Sequence, residues 1–251
     1  ERCDFMIILA PGCTHFDKID PRTGRKINLC YRTYRLRAKC VFEMFSSFLT
    51  TKGGEQVRPA LLVRSGQGIP NWISSLECLK LAVGTSVFQC CETNHTIIKT
   101  CQKPVTRASL NEMIILRATT LFEVNEFALA RFHLTLRVWW LRGLQTKEDC
   151  ESLPSSLDSF LKYLRWDSIT DGEWFDRCGI SIFMYTVACN NILVLLDLLR
   201  KLTSCNEPTL YARRLRGEAP AKGVTSLGIP GKLTTLVAAM GFASPDFVSL
   251  L

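Results

Sequence analysis

Residues able to do chemistry sit in a few short stretches of this sequence. Cys90, Cys91, His95 and Cys101 are four potential zinc ligands. Their spacing lacks the paired C-x-x-C knuckles that hold tetrahedral zinc, and adjacent cysteines rarely ligate one ion together, so the expectation is thiols at a strand end and no metal. Cys40 and Glu43 stand three positions apart and fall on one face if the segment is helical. The histidines, His15, His95 and His133, occupy three separate segments, and none has a motif partner for nucleophilic catalysis. There is no G-x-G-x-x-G, Walker lysine loop, G-x-S-x-G or H-E-x-x-H.

Charge adds a further candidate. The net charge is +8, and seven basic residues, Arg22, Arg25, Lys26, Arg32, Arg35, Arg37 and Lys39, crowd one segment with few acidic neighbours. Such a segment carries a positive field able to attract phosphates or acidic partners. No zinc finger, basic-zipper heptad or RNA-recognition motif accompanies it, which disfavours nucleic acid and leaves a solvated basic loop and helix start as the simpler reading.

The elements that would position these residues follow from apolar patterning. At 251 residues and 47% hydrophobic, the chain can bury a core, and no apolar run approaches the ~18 residues of a membrane helix. Twelve cysteines are too dilute here for a disulfide scaffold, so they read as reduced, mostly buried thiols of a cytoplasmic protein. In that compartment the sequon at Asn94 is inert.

After Asp4, residues 5–10 form a continuous apolar run stopped by Pro11, the pattern of a strand buried on both faces of a parallel sheet. After a polar loop, Val41, Met44, Phe45, Phe48 and Leu49 recur at helical spacing within residues 34–49. Residues 59–63 give a second strand, 73–83 a helix and 86–90 a third strand. That alternation predicts an α/β module over residues 1–103 with a partial parallel sheet, expected to continue upstream.

Beyond Pro104, Ser109 with Glu112 reads as a capping box, and Leu110, Met113, Ile114, Leu121, Ala128, Phe132 and Leu136 keep a helical period. Residues 104–166 are therefore an all-α spacer, with one long helix or two joined near Asn125. Trp139 and Trp140 are its packing anchor, and Ser155 with Asp158 opens a further short helix.

The C-terminal third, 167–251, resembles the ankyrin repeat. Gly179 stands at the β-turn position and Ser181 at that of the capping threonine. Asn190 falls at the inter-helix turn, Leu198-Leu199 close the second helix, and Val187, Leu195 and Leu198 are expected on the inward faces of the helix pair. Gly231, Ala238, Ala239, Gly241 and Pro245 mark a second copy, with an insertion between the two. The resemblance implies a helical solenoid continuing past Leu251, because two helix pairs cannot bury a stack. It also implies recognition of a protein partner, with Asp176, Arg177 and Lys232 as exposed binding candidates.

Cys40 and Glu43, following the first strand, also resemble the helix of TIR-type domains that carries a Ser-x-Trp-Cys-x-x-Glu pattern. Arg37 and Lys39 stand where serine and tryptophan are usual. That resemblance implies a catalytic Glu43 and NAD as its substrate or cofactor. The primary expectation is a non-enzymatic interaction or scaffold protein without cofactor. A TIR-like module that cleaves NAD or senses nucleotides is the alternative.

Overall fold

The computed structural model describes residues 5–19, 23–49, 60–64, 68–73, 77–78, 81–144, 153–166 and 180–203. The chain is mixed α/β, with a small mixed sheet, a two-stranded hairpin and eight α-helices among the described residues. It divides into two compact units, one of Glu1–Met113 with Trp140–Leu144 and one of Ile114–Trp139 with Gln145–Leu251.

In the first unit, β1 (Met6–Leu9) pairs in parallel with β4 (Ala60–Val63), in register from Met6 opposite Ala60 to Leu9 opposite Val63. The edge strand β5 (Asn71–Ile73) pairs antiparallel with β4, so the sheet is mixed rather than parallel throughout. Between β1 and β4 the chain makes a bulged hairpin of β2 (Cys13–Ile19) and β3 (Lys26–Leu29), then α1 (Tyr31–Tyr34) and α2 (Ala38–Leu49). The hairpin occupies the stretch expected to be a polar loop. Its bulge between Thr14 and Ile19 breaks the alternation by which a strand is recognised.

The helix expected over residues 34–49 starts later. Val87 N–H donates to Leu36 O at 2.7 Å and Ala38 N–H to Val87 O at 2.9 Å, so an extended bridge interrupts it. From Ala38 onward, Val41, Met44, Phe45, Phe48 and Leu49 are all buried, as the helical spacing required. The rings of Phe45 and Phe48 meet Trp140 edge-on at centroid distances of 5.5 and 6.1 Å. Fully burying a phenylalanine contributes about 1.5–3 kcal/mol, so this trio is a principal anchor of the unit. Trp140 thus serves the packing role expected of it.

Three further expectations are corrected. β1 is buried on one face only: Ile8 is 1% exposed, whereas Leu9 is 68% exposed. Ile73 closes β5 rather than opening a helix, and Leu81 and Ala82 lie outside any helix, with Ala82 extended before the 3-10 turn Val83–Thr85; residues 74–76 and 79–80 lie outside the described residues. Residues 86–90 are not a strand, because Gln89–Glu92 form the single-turn helix α3. A β-rich local composition was outweighed here by backbone bonds from Glu92 and Thr93 back to Phe88 and Gln89.

Helix α4 (Lys103–Glu123) begins six residues before Ser109, which therefore lies inside it and caps nothing. Pro104 fits the first turn, where its missing N–H is no loss. A junction near Asn125 is what the structure has: Asn125 adopts φ 62°, and α5 (Phe127–Trp140) follows.

In the second unit, α6 (Leu157–Tyr163) is capped by Ser156 and Ser159, one position beyond the expected Ser155 and Asp158. Arg131 is nearly buried and donates to Leu164 O at 3.0 Å and Arg165 O at 2.9 Å, satisfying carbonyls at the end of α6. Its guanidinium also lies 4.4 Å from the Trp166 ring centroid. Helix α7 (Ile182–Ala188) starts at Ser181, whose hydroxyl accepts from Met184 N–H. Asn190 takes the left-handed turn at φ 51°, and α8 (Ile192–Thr203) follows. Val187, Leu195 and Leu198, the positions expected to face inward, are each 0% exposed.

Candidate anion-binding cleft

The site with the most chemical content opens beyond the carboxyl ends of the parallel pair β1 and β4. Pairing persists past both strands, with Ala10 N–H donating to Val63 O at 3.0 Å and Gly12 N–H to Arg64 O at 3.1 Å. Ala10, Gly12 and Arg64 form one wall of a cleft of about 630 Å³, and Cys30, Tyr31, Arg32, Arg35, Leu36 and Leu81 complete it. The carboxyl edge of parallel strands is where α/β sheets take ligands, and this volume suits a small molecule.

Helix α1 aims the charged residues. Cys30 is its extended N-cap; Cys30 N–H donates to Thr33 Oγ1 at 2.9 Å, and that hydroxyl donates back to Cys30 O at 2.9 Å. The single turn so fixed brings Tyr31, Arg32 and Arg35 to one side, with the Arg35 guanidinium 5.8 Å from the Tyr31 ring centroid. Arg35 pairs with Glu77 at 3.6 Å. Yet Arg35 Nε and the Tyr31 hydroxyl are both buried and have no hydrogen-bond partner among the described residues. A buried donor left unmade costs about 1–3 kcal/mol, so two in one cleft mark groups set for something that enters it. The Tyr31 phenol is held above its ordinary pKa, chiefly by burial, and stays a neutral donor at physiological pH. The Cys30 thiol is held below its ordinary pKa, first by the Thr33 backbone N–H.

Other sequence candidates stand elsewhere. Glu43 is exposed and does not line the cleft; it accepts a long hydrogen bond of 3.5 Å from Tyr34 Oη. Cys13 is exposed on β2 and does not line the cleft either. Of the seven clustered basic residues, Arg32 and Arg35 reach the cleft, Arg25, Lys26, Arg37 and Lys39 are exposed outside its lining, and Arg22 lies outside the described residues. Asp176, Arg177 and Lys232 also lie outside them, as does the second ankyrin-like copy at 231–251.

The eight described cysteines are free thiols, and only Cys78, Cys90 and Cys189 are buried, fewer than expected. The cysteine cluster is not at a strand end but runs from α3 to the start of α4, where the sulfurs of Cys90, Cys91 and Cys101 gather within 4.8 Å of one another. His133, which has no motif partner in sequence, is buried in α5 and donates from Nδ1 to Leu129 O at 2.7 Å. Burial lowers its pKa to about 4, so it is a neutral core residue.

No known protein family, curated protein or solved structure matches this chain. Sequence reasoning missed Tyr31, Arg64 and Cys30 as site residues. The available signal was positional: Arg64 directly follows a strand parallel to β1, and ligand residues of such sheets come from strand carboxyl ends.

Proposed function

We propose that the N-terminal unit binds a phosphorylated small molecule of nucleotide size and that the chain works as a binding protein, not a catalyst. The carrying observation is the pair of buried, unpartnered polar atoms, Tyr31 Oη and Arg35 Nε, in a cleft that also presents Arg32 and Arg64. Three guanidinium groups suit a polyanion, since arginine binds phosphate oxygens through paired, charge-assisted hydrogen bonds. Ala10, Leu36, Leu81 and the Tyr31 ring supply an apolar wall for the uncharged part of the ligand. The described lining has no carboxylate or imidazole to move a proton. Glu43 lies outside this lining, so the reading favoured here is nucleotide binding by the arginines rather than NAD cleavage through Glu43.

Calorimetric titration of the full chain with inorganic pyrophosphate and with ADP tests this. One site is expected, with ADP the tighter ligand and Arg64→Ala weakening both about tenfold or more, as a lost charge-assisted bond of about 1.5–3 kcal/mol requires. Absence of binding, or affinity indifferent to Arg64→Ala, contradicts it.

A second reading concerns the other unit and is favoured by the α7–α8 hairpin. Its hydroxyl cap at Ser181, left-handed Asn190 and inward Val187, Leu195 and Leu198 agree with an ankyrin-type helix pair. In this reading the C-terminal part is a repeat stack that docks a protein partner, with Asp176, Arg177 and Lys232 facing it. Hydrogen exchange over residues 231–251 tests it. Two protected stretches separated at Gly241 support a second repeat, and uniformly fast exchange contradicts it.

A further inference from the structure

We propose that Cys90, Cys91 and Cys101 form a binding site for one thiophilic d10 cation of the zinc(II) class, separate from the phosphate cleft. Zinc–sulfur bonds of about 2.3 Å place ligating sulfurs about 3.8 Å apart in a tetrahedral site and about 4.0 Å apart in a trigonal one. The Cys90 and Cys91 sulfurs are 3.7 Å apart, and all three sulfurs lie within 4.8 Å of one another.

Adjacent cysteines seldom share an ion because neighbouring side chains usually diverge. Here both stand on the single turn of α3, which sets their sulfurs side by side, and the loop before α4 returns Cys101 to them. That return is fixed by the chain itself. Gln102 N–H donates to Cys90 Sγ at 3.4 Å, a contact that stabilises thiolate charge and orients the sulfur as outer-shell donors do in metal sites. His95 N–H donates to Cys90 O at 2.8 Å, which holds the intervening loop against α3. The His95 imidazole is not part of the cluster, which consists of the three sulfurs alone among the described residues. Binding exchanges three thiol protons for the cation and leaves a tris-thiolate complex of charge −1, with no change of oxidation state.

The test uses the full chain, reduced and freed of metal, with cobalt(II) as the optical probe and zinc(II) as its competitor. One equivalent of cobalt should give thiolate-to-cobalt absorption that zinc abolishes. Cys91→Ser with Cys101→Ser should remove it, and Cys40→Ser should leave it intact. A readout without variants guards against misfolding: zinc should slow alkylation of Cys90, Cys91 and Cys101 by at least tenfold, scored by peptide mass spectrometry, with Cys13 unchanged. No stoichiometric binding, absorption surviving the double substitution, or unprotected thiols at these three positions would overturn the site.

Discussion

Replacing Gly84 by alanine should destabilise the first unit more than its small size suggests. A Cβ at Gly84 would stand 2.3 Å from Arg142 O, 2.5 Å from Gly143 C and 2.6 Å from Leu144 N. All three are backbone atoms, so no rotamer can relieve the overlap. Reaching even 3.0 Å, the floor for real Cβ contacts, means parting the two segments by about 0.7 Å. The displaced segment begins at Trp140, whose ring is seated on Phe45 and Phe48, so the shift propagates into the main aromatic cluster. Overpacking of this kind costs about 1–3 kcal/mol. With a urea slope of about 3 kcal/mol/M at the upper end for a chain of this size, the midpoint should fall by up to about 1 M. Gly12→Ala is the matched control, because nothing lies within 4 Å of its would-be Cβ. Urea unfolding followed by tryptophan fluorescence decides the matter. A Gly84→Ala midpoint equal to that of Gly12→Ala would refute the close backbone approach.

Three other outcomes follow from burial and charge. Leu198 is 0% exposed, so Leu198→Ala should cost about 2–5 kcal/mol in chemical denaturation, and a loss below 1 kcal/mol would show that α8 is not packed there. His133 has a folded pKa of about 4 against 6.5 for the free side chain, so the folded state binds fewer protons than the unfolded. Its stabilising effect is complete above pH 6.5 and is lost as pH falls toward 4, about 3 kcal/mol in all. His133→Gln should flatten that part of the pH–stability curve, and an unchanged slope would remove His133 as its cause. Because the Cys30 thiol is lowered and burial pushes Cys189 up to about 12, iodoacetamide at pH 8 should label Cys30 well before Cys189. Labelling of Cys189 ahead of Cys30 would contradict the assigned environments.

Legibility in the sequence tracked how locally each feature is determined. Helix faces were readable, since Val41, Met44, Phe45 and Phe48 in α2, and Val187, Leu195 and Leu198 in α7 and α8, carry their periodicity with them. Turns near Asn125 and at Asn190 were expected, the second from the ankyrin-like pattern, while their left-handed backbone was not. Strand burial was not. An apolar run such as Met6 to Leu9 says nothing of whether a second layer covers it, and here Ile7 and Leu9 are exposed. The cleft was hidden because it joins residues from α1 with Arg64 on a distant strand end, a juxtaposition set by parallel pairing. The basic cluster pointed toward it but could not show which two of its arginines would turn inward. The thiol cluster was legible as a group of residues, while the helical turn that aligns Cys90 with Cys91 was not.

The central claim is that Tyr31 Oη and Arg35 Nε await an anionic ligand, and a crystal structure of the chain with ADP tests it most directly. The diphosphate should lie among Arg32, Arg35 and Arg64, with phosphate oxygens within hydrogen-bond distance of both Tyr31 Oη and Arg35 Nε. A cleft without nucleotide at saturating ADP, or a diphosphate bound elsewhere while these two atoms stay unpartnered, would contradict it.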